Sequence, residues 1–386
     1  MKYFLTLIQL WVGFLSICAS YPKANIWIIP SVESPQVYRN YAQTSKVHLE
    51  MARGEVEHIQ LVFPSKVNEE YRFTFDRYLK GIQISARELK KMNGYYDALV
   101  PFKNQLKCTD TLTAVWITVQ CPSRVPVGKY HQTIKIEGSK HFTIQLDYNV
   151  HHTTIPLKSS IPITVGVENR CMTECLNDKE ADKERQRWVD FVLSYRMTPV
   201  FGTQITPERW QYEHSFSPWA WNDKRSIRLL NDRRYSCYML PFFTLSENEL
   251  ASLLCNIQKK GKLKESLFYI WDEPAYMEDY EQIKRKVNII RKYASDARIL
   301  TTFFCGPRNG PRKGDLYAVF DYLKHHIHVA TISLAPCKGN EEEVQHIRYK
   351  VPEGIDWWSY VCWQPGGNEP NFLLQMKGIQ QRAIMW

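Results

Sequence analysis

A chain of 386 residues is longer than one small domain needs, and 44% hydrophobic with 23% charged residues excludes a disordered or fibrous protein. The formal net charge is +10, yet the basic residues are scattered, the densest cluster being Lys259–Lys264. A nucleic-acid binder gathers such charge on one face and carries a recognisable motif, so nucleic acid is excluded as a partner.

The first residues, MKYFLTLIQLWVGFLSICAS, place one lysine before an apolar run and end in small residues. That pattern is a secretory signal peptide over 1–20, which predicts a secreted or lumenal protein. No later apolar segment is long enough to span a bilayer, so no membrane insertion is expected after cleavage. Nine cysteines remain beyond Cys18, and Cys108–Cys121 and Cys171–Cys175 are the pairs close enough in sequence to consider as disulfides.

Residues 21–156 read as short strands. KVHLEMAR, EHIQLVF, YRFTFDRYL, GIQISAREL, TAVWITVQC, YHQTIKIEG and HFTIQLDYNVHH alternate apolar and polar residues between Gly, Asn, Pro and Ser turns. Period-2 alternation of this kind predicts an antiparallel β-sandwich.

Residues 157–386 change rhythm. IPITVGV reads as a buried strand, and DKERQRWVDFVLSYR as a helix with Trp188, Val192 and Tyr195 on one face. Thr206-Pro207-Glu208 reads as a helix cap. After the strand CYMLPFF, Ser246 and Glu249 form a capping box opening a helix that Gly261 closes. The strand SLFYIWDE precedes a helix burying Tyr280, Ile283, Val287 and Ile290. RILTTFFC, LYAVFDYLKHH, HVATISLA, EEEVQHIRY and IDWWSYVCW continue the alternation, which implies parallel strands with helical crossovers. A (β/α)8 TIM-type barrel is the expected architecture, with an open doubly wound sheet second. No Gly-rich turn follows the first strand, against a Rossmann-type nucleotide site.

Barrel enzymes place their reacting groups at the C-terminal ends of strands. Asp272 and Glu273 stand at the end of the fourth, which follows IPITVGV, TPVFG and CYMLPFF. Successive strand residues face opposite ways, but at the last residue the backbone is free to turn, and Pro274 fixes its direction. Glu273 then leans over the barrel mouth beside Asp272, a protonated acid next to an ionised base, as glycoside cleavage requires.

FYIWDEP with its following helix, WWSYVCWQPGGNEPNFLLQ and the closing GIQQRAIMW together resemble glycoside hydrolase family 123. LEMARGEVEHIQLVF and VPVGKYHQTIKI are similar to the β-sandwich that precedes the barrel in that family. The resemblance implies removal of terminal β-linked N-acetylgalactosamine, with retention, by a substrate-assisted mechanism. In it the 2-acetamido oxygen attacks the sugar's own anomeric carbon, giving an oxazolinium intermediate. Glu273 would be the general acid/base, and Asp272 would orient the acetamido group. Adjacent carboxylates suit that chemistry, because no protein nucleophile is needed across the ring. Tyr360 would donate to the acetamido oxygen and Trp358 would stack on the sugar. Asn169 and Arg170 end the first barrel strand facing the site, and Trp271 either lines the pocket or packs outward.

Family members continue into a final strand beyond the point matching Trp386, so the barrel is expected to lack its last strand. The implied partner is a glycan or glycosphingolipid substrate; no metal or organic cofactor is called for. A glycan-binding relative without turnover, and a glycosidase of other sugar specificity, fit the same scaffold.

Overall fold

The computed structural model describes residues 25–76, 81–92, 94–168, 176–206, 211–333, 349 and 351–360. The chain divides into two compact units, one ending at Ile155 and the other beginning at Pro156.

The first unit is a two-sheet sandwich. One sheet contains β1 (Trp27–Pro30), β3 (Val56–Pro64), β5 (Gln83–Met92), β6 (Tyr95–Pro101) and β8 (Leu112–Gln120), in the order β1-β3-β8-β5-β6. The other contains β2 (Lys46–Arg53), β4 (Glu70–Phe75), β7 (Gln105–Lys107), β9 (Gly128–Glu137) and β10 (His141–Thr154), in the order β2-β10-β9-β4-β7. Alternation does the sorting: Phe142, Ile144, Leu146, Tyr148 and Val150 of β10 point inward against Leu61, Phe63, Val115 and Ile117 of the facing sheet. Strand β3, between β1 and β8, is instead buried on both faces from Ile59 to Phe63, with Gln60 and Val62 on its outer face. Its outer face lies under a 3-10 turn, Pro35–Asn40, whose Tyr38 ring packs 4.6 Å from Trp27.

Two expectations change here. Edge strand β2 runs parallel to β10, with Glu50 opposite Asn149, so the sandwich is not wholly antiparallel. Cys108 and Cys121 are both buried free thiols. They flank the two ends of β8, and a strand that long, at ~3.3 Å per residue, holds them too far apart for a disulfide.

The second unit is mixed α/β. Strands β11 (Thr164–Glu168), β12 (Thr198–Thr206) and β13 (Gln211–Ser215) form a three-stranded sheet in which β11 and β12 are parallel and β13 is antiparallel. Strands β14 (Tyr238–Leu240), β15 (Ser266–Tyr269), β16 (Arg298–Phe303), β17 (Val329–Ser333) and β18 (Asp356–Tyr360) form a parallel sheet in sequence order. The two sheets meet where the Phe216 N–H donates to the Met239 carbonyl at 2.7 Å. Five α-helices are present among the described residues: α1 (Asp178–Ser194), α2 (Lys224–Leu229), α3 (Glu247–Lys259), α4 (Met277–Tyr293) and α5 (Ala318–Leu323). The parallel strands among the described residues lie in two sheets and do not close the expected eight-membered ring.

Helix α3 opens on the Ser246–Glu249 capping box and ends before Gly261 at φ +65°. Helix α4 buries Tyr280, Ile283, Val287 and Ile290, the stripe read from the sequence. Helix α1 is rotated from its expected phase. Val189, Val192 and Leu193 are buried, whereas Trp188, Phe191 and Tyr195 are exposed and pack edge-to-face on each other at 5.8 and 5.1 Å. The helix cap read at Thr206 is instead the last residue of β12, and β13 returns antiparallel beside it.

Inward side chains of six strands or their entries meet in one apolar cluster: Val200, Cys237 with Met239, Leu267, Leu300, Val329 and the partly buried Trp358. Toward the C-terminal ends of the strands this interior turns polar, with Tyr269, Thr302, Ser333 and Tyr360 each two residues beyond an inward neighbour. This change of chemistry along the strands positions the site.

Candidate active site

Strand β15 contributes Leu267 and Tyr269 to the interior and Phe268 to the layer shared with the helices. After Ile270, whose N–H donates to the Leu300 carbonyl, the backbone leaves the sheet and turns sharply. Glu273 has φ +45°, in the left-handed region that residues with a Cβ seldom enter, and Pro274 follows it buried. The turn breaks the two-fold alternation of the strand, as the sequence requires if Asp272 and Glu273 are to share one side.

Asp272 is half-buried and tied to two hydroxyls. Tyr269 donates to its Oδ1 at 2.5 Å, and Thr302 of β16 donates to the same oxygen at 2.8 Å. The Thr302 oxygen also accepts the Glu273 N–H at 3.1 Å. Glu273 is exposed at the lip, and its Oε1 accepts a hydrogen bond from the Tyr360 phenol of β18. Each carboxylate therefore has its own tyrosine. Burial, followed by the Asp272 charge, pushes the Tyr269 phenol well above the ordinary range. Burial, followed by the bond to Glu273, raises Tyr360 likewise. Both phenols stay protonated and act as donors.

His214 of β13 packs its ring 4.0 Å from that of Tyr269, edge-on at 65°. Its Nε2 is buried without a hydrogen-bond partner, and burial lowers the imidazole to about 4. A neutral ring therefore backs the phenol that holds Asp272. Nearby, the buried Glu213 carboxylate accepts the N–H groups of Phe242 and Thr244 at 2.8 and 2.7 Å, fixing the loop after β14.

The structure brings Asp272, Glu273 and Tyr360 together. Tyr360 meets Glu273 first, a contact the sequence reading did not foresee. Trp358 shares the inward face of β18 with Tyr360 and packs against the apolar cluster below, while Trp357 packs outward among the helices. Trp271 is 8% exposed in the layer between strands and helices, with Lys286 Nζ 5.6 Å from its ring centre, so it packs outward. Asn169 and Arg170 lie outside the described residues, as do Cys171, Cys175 and the closing GIQQRAIMW. Thr302 and His214 were missed. Thr302 has a signal, its even spacing from the inward Leu300; His214 has none, because Thr206-Pro207-Glu208 reads as a helix cap just before its strand. Among the described residues no group of three or more His, Cys, Asp or Glu is arranged to hold a metal ion.

No family model and no curated protein matches the sequence. Solved structures do match. A family 123 glycoside hydrolase from Clostridium perfringens, described in terms of glycolipid glycan hydrolysis, aligns over 91% of this chain and 74% of its own at 12% identity, with TM-score 0.57. An FMN-binding β-glucuronidase from Facaelibacterium prausnitzii L2-6 covers 88% of this chain and 48% of its own at 10% identity, with TM-score 0.31. At 12% identity the first likeness concerns the fold alone, and the second is too distant to carry an argument. The chain shares its fold with a family 123 glycoside hydrolase.

Proposed function

We propose that the protein is a glycoside hydrolase that removes terminal β-linked N-acetylgalactosamine from glycolipids or glycans. The observation that carries this reading is the pair Asp272–Glu273 on one turn, with Tyr269 and Thr302 on the first carboxylate and Tyr360 on the second. The likeness to a fold used in glycolipid glycan hydrolysis supports it. A protein nucleophile would need a carboxylate roughly 5 Å from the acid across the sugar ring. Neighbouring residues on one turn favour a nucleophile carried by the substrate.

In the first step the acetamido oxygen bonds to C1 as the glycosidic C1–O bond breaks, and Glu273 gives its proton to the leaving oxygen. Asp272 accepts the acetamido N–H and offsets the positive charge of the oxazolinium ion. In the second step Glu273 takes a proton from water, the water oxygen bonds to C1, and the ring opens with retention. The secretory leader read over residues 1–20 would deliver the chain to the compartment where such glycans are displayed.

The test is release of 4-nitrophenol from its β-N-acetylgalactosaminide, with GlcNAc, galactose and glucose analogues alongside. Turnover confined to the 2-acetamido sugars and lost in E273Q is expected. Wild-type release no greater than that of E273Q would overturn the reading in favour of a glycan-binding protein, and turnover of the plain sugars would overturn substrate assistance.

A further inference from the structure

We infer that Thr302 is a positioning residue that aims both carboxylates at once by holding the left-handed turn at Glu273. The inference rests on the proposed reading only for its kinetic consequence. A threonine hydroxyl has one hydrogen to give and lone pairs to receive. Thr302 uses both: it gives its hydrogen to Asp272 Oδ1 at 2.8 Å and receives the Glu273 N–H at 3.1 Å. The two bonds straddle the Asp272–Glu273 peptide and so fix its rotation. That peptide leads into φ +45°, a conformation that persists at a residue with a side chain only when its surroundings impose it. The Tyr269 hydroxyl meets both Asp272 Oδ1 at 2.5 Å and the Thr302 hydroxyl at 2.9 Å, but it does not replace this function, because the Glu273 N–H goes to Thr302.

Position 302 is 7% exposed on the inner face of β16, so its shape is constrained as well as its hydroxyl. A matched comparison lies next door. Thr331 of β17 is opposite Thr302 in register and 6% exposed, yet its hydroxyl is buried without a partner. Thr→Val at either site keeps the shape and removes one hydroxyl, and only at 302 does this strip the carboxylate turn of its support.

The experiment compares T302V, T302S and T331V, using kcat and KM for 4-nitrophenyl 2-acetamido-2-deoxy-β-galactoside and a crystal structure of T302V. A displacement on the order of 1 Å costs about 10²-fold in rate. T302V should lose roughly that in kcat with KM little changed, T302S should recover most of it, and T331V should match wild type. In the T302V crystal the Glu273 φ should turn negative. T302V kinetics equal to those of T331V, or a Glu273 φ still near its present value, would overturn the inference. If wild type turns over none of the glycosides, the proposed function fails by itself, and the backbone of T302V still decides the role of Thr302.

Discussion

Replacing His214 by phenylalanine should flatten the acid side of the stability profile. An ordinary imidazole titrates near 6.5, and burial takes that of His214 to about 4. Between those values the unfolded chain binds a proton that the native chain refuses, so stability rises with pH. The contribution is fully present above about pH 6.5 and is lost as pH falls toward 4. At about 1.4 kcal/mol for each tenfold, the whole gap is worth about 3 kcal/mol, of which about 2.5 is already lost at pH 4.5. Phenylalanine keeps an aromatic edge against Tyr269 and removes a buried nitrogen that has no partner. Glu213, whose carboxyl is raised by burial, works in the opposite sense, but its effect is common to both proteins and cancels in their difference. Urea unfolding of wild type and H214F from pH 4.5 to 7.5 measures that difference. The variant should gain on wild type by about 2.5 kcal/mol toward the acid end. A difference that stays constant with pH would refute the assignment of a buried neutral imidazole.

Tyr360→Phe removes the donor to Glu273 Oε1 and should lower kcat by on the order of 100-fold, the lower end of what one positioned hydrogen bond at a reacting group is worth, with a far smaller change in KM. Ser246→Ala deletes half of the capping box on α3 and should cost about 1 kcal/mol in urea unfolding, with no effect on kcat. Alkylation of the unfolded, unreduced protein should label both Cys108 and Cys121; their recovery as a disulfide-linked peptide would contradict the free thiols.

The parts of the fold that were legible in sequence are those where one local rule acts alone. The capping box at Ser246 and Glu249, the four-residue stripe of α4 and the alternation of β10 appear in the structure where the pattern put them. Helix α1 was misphased because an exposed aromatic ladder of Trp188, Phe191 and Tyr195 mimics a buried face, its rings covering one another in place of a core. The hairpin of β12 and β13 was hidden by Thr206-Pro207, whose capping signature is local while strand pairing is not. The same division holds at the site. Asp272 and Glu273 stood out as neighbours at a strand end, and Tyr360 through the family resemblance, whereas Thr302 and the bond from Tyr360 to Glu273 come from β16 and β18, contacts that only register creates.

Whether the adjacent carboxylates serve a nucleophile carried by the substrate can be measured directly. A series of 4-nitrophenyl β-galactosaminides bearing acetyl, fluoroacetyl, difluoroacetyl and trifluoroacetyl groups weakens the carbonyl oxygen stepwise without altering the leaving group. If Asp272 orients that oxygen for attack and Glu273 protonates the leaving group, kcat/KM must fall steeply with each added fluorine. A rate independent of fluorine content, in an enzyme that still needs Glu273, would contradict the account.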